Sequence, residues 1–128
     1  MDGLSGPTYL YVEPYLQTIS RIERFGADRI VGCHWPLWQG EHEIQEFCAE
    51  SRNFVETADR LIYDYLASHP SGATLRELCQ SLGGKLGEWP PTLHTELTYA
   101  FLGHLERGVS QGTLSADRSV RPVVYRRC

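Results

Sequence analysis

One histidine in this chain stands where chemistry is usually done. In Ile30-Val31-Gly32-Cys33-His34-Trp35-Pro36-Leu37-Trp38-Gln39-Gly40 a short apolar run opens into His34. Pro36 stiffens the loop behind it, and Trp35 and Trp38 could shield it from water. The loop after a strand is where α/β folds commonly place functional groups. An imidazole there can ligate a metal or carry a proton. The plainer reading is a histidine that simply satisfies its hydrogen bonds at a strand end, and for a random histidine that is the more frequent case. A divalent metal asks for three or four ligands, and the other histidines do not supply them at ligand spacing. His42 falls in the first turn of a surface helix and His69 in a turn, while His94 and His104 stand ten residues apart on one helix. These four are expected to be solvated or to support other groups. The cysteines Cys33, Cys48, Cys79 and Cys128 show no C-x-x-C spacing, which argues against a zinc ribbon and against a dense disulfide framework. Reduced thiols and a cytoplasmic location are the expectation.

The elements that must position His34 follow from hydrophobic spacing. The opening residues 1–9 are rich in glycine, serine and proline and read as loop. Tyr15, Leu16, Ile19, Ile22 and Phe25 recur at helical steps, so a helix is predicted over 12–25, with Pro14 tolerated in its first turn and Gly26 just past its end. A short strand is predicted over 28–32. The longest helix spans 41–66, with an inner stripe that includes Ile44, Phe47, Phe54, Val55, Ala58 and Ile62, and with Glu41, Glu43 and Glu46 near its positive N-terminal end. After a turn at 68–72, Thr74-Leu75-Arg76-Glu77 is a capping box opening a helix that Gly83-Gly84 closes. A loop at 87–91, a helix over 92–107 ended by Gly108, and two strands at 109–114 and 120–125 complete the chain. Helices followed by a two-stranded ribbon give the order of a winged-helix unit.

Composition bounds the function. A hydrophobic share of 41% and a charged share of 22% are those of an ordinary soluble domain. No apolar run approaches a membrane span, and no signal-peptide layout opens the chain. Residues 41–69 hold seven acids and two bases, net −5, whereas residues 109–128 hold one acid and four arginines, net +3. A nucleic-acid reader concentrates its cations on one face; here the predicted 92–107 helix offers Thr92, His94, Glu96, Thr98 and Glu106 outward, with Arg107 alone at its end. Neither a nucleic acid nor a membrane is expected as a partner.

Residues 21–66, "RIERFGADRIVGCHWPLWQGEHEIQEFCAESRNFVETADRLIYDYL", resemble the C-terminal part of metallo-β-lactamase-fold hydrolases, the glyoxalase II-like and lactamase-like group. The likeness lies in the run helix, short strand, G-x-H-x-P loop (Gly32 to Pro36) and long helix. It extends to an "HLxxG" helix end at His104-Leu105-Glu106-Arg107-Gly108. The resemblance implies a mainly α chain with minor β: residues 1–55 as the C-terminal remnant of an αββα metallo-β-lactamase fold, residues 56–128 as a small winged-helix-like extension. It implies that His34 is the last ligand of a zinc centre. Asp2, in Asp2-Gly3-Leu4-Ser5-Gly6, either matches the family's metal-bridging aspartate or is merely a terminal residue. Trp35 and Trp38 would border the substrate pocket.

The departures weigh as much as the match. The family's H-x-H-x-D-H signature and its further histidine ligand are absent from the 128 residues. The expectation is therefore a fragment or truncated paralogue of a metal-dependent hydrolase, inactive alone, with zinc weakly bound or absent. Its partner would be the missing N-terminal half or a second copy, with a small-molecule substrate in the complete enzyme. The alternative is a non-catalytic helical or winged-helix interaction module.

Overall fold

The computed structural model describes residues 9–32, 37–88 and 94–128, the last segment by backbone alone at 94–96. Helix α1, Val12–Phe25, forms where the apolar stripe predicted it, burying Val12 and Ile19. Gly26 ends it in the left-handed conformation at φ 66°, which costs a glycine nothing. The strand expected at 28–32 is β1, Arg29–Ile30, and it pairs antiparallel with β2, Trp38–Gln39. Among the described residues β1 has no neighbour on its other edge.

Helix α2, Glu41–Ser68, is the axis of the molecule. At its start the Glu43 carboxylate accepts the Gln39 N–H at 2.7 Å, tying β2 to the first turn. Its first half meets α1, where Arg52 donates to both oxygens of Glu23 (2.7 and 3.2 Å) and to Ser20 Oγ at 2.9 Å. The Arg52 bond holds the Glu23 carboxyl below its ordinary range. Ile19, Ile44 and Cys48 form a small core there, with Trp38, Phe47 and Ile30 against it. Burial pushes the Cys48 thiol up, so it stays a neutral apolar group.

The second half of α2 enters the main core. Position 55, where the sequence expectation divided the chain, is a buried valine inside this helix. β3, Ala73–Thr74, leads into α3, Leu75–Leu86, through the expected capping box: Thr74 Oγ1 accepts the Glu77 N–H at 3.2 Å and Glu77 Oε2 accepts the Thr74 N–H at 2.7 Å. Helix α4, His94–Ser110, and strands β4, Leu114–Asp117, and β5, Val124–Arg127, follow. The sheet is antiparallel in the order β3-β5-β4, so β5 is central. Phe101, Ile62, Leu66, Leu78, Leu97 and Leu105 are each essentially inaccessible to water between sheet and helices.

Three expectations of element ends are corrected. Gly83-Gly84 does not close α3, which runs on to Leu86 with Gly83 buried in the helix. Gly108 does not end α4 either; a Cβ there would lie 2.6 Å from Leu114 Cδ1 and 2.7 Å from Tyr63 Oη, so this glycine permits close packing. The ribbon consequently starts later than 109, because Val109 and Ser110 still belong to α4.

Candidate functional site

Of the residues singled out for chemistry, Asp2, His34 and Trp35 lie outside the described residues. Trp38 is described: it sits in β2, half-buried, its ring 4.6 Å from that of Phe47 and tilted by 41°. Its indole is thus used, at least in part, to roof the small core. Among the described residues no group of three or more histidine, cysteine or acidic side chains could hold a metal ion.

The remaining histidines divide sharply. His42 is exposed beside Glu46, 3.5 Å away on the next turn of α2. His69 stacks on Tyr65 with ring centroids 3.9 Å apart, and its Nδ1 lies 2.7 Å from the Tyr65 carbonyl. A carbonyl only accepts, so that nitrogen carries a proton. Of the two expectations for these histidines, solvated or supporting other groups, His104 is not the solvated kind. It is completely buried, with Nδ1 2.9 Å from Asp59 Oδ1 and Nε2 2.6 Å from the Tyr9 hydroxyl.

This chain of three groups is the most developed polar arrangement in the described structure. Asp59 comes from α2, His104 from α4, and Tyr9 from the segment before α1. In the neutral imidazole the Asp59 carboxylate accepts the Nδ1 proton, which fixes the tautomer and leaves Nε2 to accept from the tyrosine hydroxyl. Carboxylate, imidazole and hydroxyl in series is the order of parts that activates a nucleophile. The surroundings count against that use here. The tyrosine is 6% exposed, stacked on Tyr15 at 4.5 Å and edge-on to Phe54. Burial above all, then the neighbouring Tyr15 and Asp59, push its hydroxyl well above the ordinary tyrosine range. A phenol that will not ionise is a poor nucleophile, so the three groups serve to anchor.

What they anchor is the segment leading into α1. Gly103 takes the next step: a Cβ there would clash with the Leu10 carbonyl oxygen, far inside van der Waals contact, so backbone meets backbone without a side chain between. Arg107, one turn after Gly103, donates from Nη2 to Glu13 Oε1 at 2.6 Å. Gly103, His104 and Arg107 therefore all grip residues 9–13, while Leu105 faces the core and Gly108 receives Leu114. The "GHLERG" stretch is a docking strip for the first turn of α1 and the residues just before it. The signal for His104 was present in the sequence. It stands seven residues after Leu97 and three after Phe101, on the inward face of the helix.

No protein-family model and no curated protein matches this chain.

Proposed function

We propose that this chain is the C-terminal portion of a metal-dependent hydrolase of the metallo-β-lactamase fold, inactive by itself, with a winged-helix-like unit attached. In this reading α1, β1, the His34 loop and the start of α2 belong to the hydrolase fold, and His34 is a metal ligand with Asp2 as its companion. Trp35 and Trp38 border the substrate pocket. The observation that supports it most is the open edge of β1 in apolar company. The strand leads toward the His34 loop, is paired on one side among the described residues, and is flanked by Phe25 at 82% and Val31 at 79% exposure. An unpaired edge beside exposed apolar side chains is a seat for further strands. A complementary half carrying the H-x-H-x-D-H ligands would occupy it.

Imidazole and carboxylate are suitable donors for zinc, but a catalytic zinc takes three protein ligands and keeps one position for water. His34 and Asp2 are two, so this chain's own residues do not fit a firmly held ion, and turnover is assigned to the completed protein. Support for the winged-helix-like unit comes from the order α2, β3, α3, α4, β4, β5 with β5 central in the sheet.

The closed core of that unit favours a second reading, a non-catalytic interaction module. The two readings separate in one experiment. The chain is mixed with a separately expressed half bearing H-x-H-x-D-H, and zinc-dependent hydrolysis of thioester, lactone and lactam probes is followed. Turnover that appears on mixing and vanishes with His34→Ala, at unchanged circular dichroism, supports the hydrolase. A mixture that neither associates nor turns over leaves the interaction module.

A further inference from the structure

We propose that the groove between α3, α4 and the β4–β5 hairpin binds a small amphipathic carboxylate, an aliphatic acid of medium chain length. This goes beyond the hydrolase reading and does not depend on it.

The groove has a volume of about 770 Å³ and is bounded on three sides by these elements. That size lies within the usual range of small-molecule sites, which are mostly apolar with a few placed polar groups. Leu75, Leu102 and Val123 line it with hydrocarbon, which would accept an alkyl chain. Its charges select the head group. Two cations, Arg76 and Arg118, and one acid, Glu106, stand on its walls, a net of +1 on a chain whose net charge is −4.

The one acid is already engaged. Glu106 accepts from Arg118 Nη2 at both oxygens (3.0 and 2.8 Å) and from the Tyr125 hydroxyl at 2.9 Å. These two hydrogen bonds from Nη2, with the tyrosine hydroxyl beside them, hold the Arg118 guanidinium in a fixed place, so a ligand need not order it. Arg76 has no carboxylate partner among the described residues. A bound carboxylate would supply one. A positively charged ligand would meet two arginines, and a long polyanion would need a track of cations where the groove provides two.

Titration of the full 128-residue chain with decanoate, watched by the methyl signals of Leu75, Leu102 and Val123, tests the site. Expected is saturable binding, weakened about tenfold when decanol replaces decanoate, the effect of losing one charge-assisted hydrogen bond. Arg76→Met should weaken decanoate by a similar factor and leave decanol unchanged. Arg118→Met should do the same, with the Leu97 and Phe101 signals unmoved as evidence that the core is intact. Absence of saturable shifts from a folded protein overturns the proposal. So does equal binding of decanol and decanoate, or decanoate binding untouched by Arg76→Met.

Discussion

The two ends of α2 are built to different standards. Around its C-terminal half, three helices and a three-stranded sheet enclose side chains such as Phe101 and Leu105, from which water is excluded on every side. Around its N-terminal half, α1 and a pair of two-residue strands cover a core of Ile19, Ile44 and Cys48, while Phe25, Val31 and Leu37 stay exposed. The first region buries a large core against itself, with Tyr99 and Val120 left exposed. The second has only a small core and leaves Phe25 and Val31 more exposed still. Hydrophobic burial is the main favourable term in folding, so the difference teaches that the larger share of the stability comes from the C-terminal end.

Substitutions can break that contrast in order of size. Phe101→Ala should cost about 3–5 kcal/mol in urea denaturation, the range for emptying an aromatic site in a packed core; a cost below about 1 kcal/mol would mean the C-terminal core is not the stable one. Gly103→Ala comes next, at about 1–3 kcal/mol for forced overpacking. Because the new methyl meets the Leu10 backbone, faster amide exchange at residues 10–12 should accompany the loss. Tyr9→Phe removes one buried hydrogen bond and leaves His104 Nε2 without a partner, for about 1–2 kcal/mol. If stability is unchanged, the anchoring role of the three-group chain is wrong.

A pH experiment comes after these. Hydrogen bonds from the Thr74 backbone and hydroxyl lower the Glu77 carboxyl from its ordinary value of 4.5. A folded pKa below the unfolded one gives stability that is present above the unfolded value and fades as pH falls through the folded value. The difference in Tm between the parent chain and Glu77→Gln should therefore be steady near neutrality and shrink once the pH drops below about 4.5. A gap that widens on acidification would reverse the sign and refute the capping account. Smallest of all, Val31→Ser should shift the stability of the chain by no more than about 0.5 kcal/mol, as for an exposed site. In the complementation mixture the same change should weaken association. A large loss of intrinsic stability would show that Val31 is covered by this chain itself.

Legibility in the sequence followed the length of the pattern. Helices α1 and α2 were readable to within about two residues because a stripe repeated over several turns leaves little choice. The Thr74–Glu77 box was readable because its two bonds are local. The two-residue strands β2 and β3 were not, since a pair of residues has no period and their pairing is decided by partners that are distant in sequence for β3. Gly108 misled because glycine marks a helix end when the backbone must turn left-handed, but inside a helix it can mark a place where another element comes close; Gly84, with open space around it, is simply tolerated within α3. Only the fold separates the two uses. For His104 the spacing placed it on the inward face, but its partners Tyr9 and Asp59, 95 and 45 residues away, are given by the fold alone.

Helix α2 gives the molecule a lever. At 1.5 Å per residue its 28 residues make a rod roughly 42 Å long. Its C-terminal half is clamped in the dense core, and its tip carries the Glu43 bond to β2. A tilt of about 5° at the clamp would sweep that tip, roughly 21 Å away, through roughly 2 Å, about half a residue along a strand. The clamp therefore sets the aim of everything mounted at the far end. A ligand or substitution that shifts the seat of α2 among α3, α4 and β5 would redirect the β1–β2 corner without touching a single residue there.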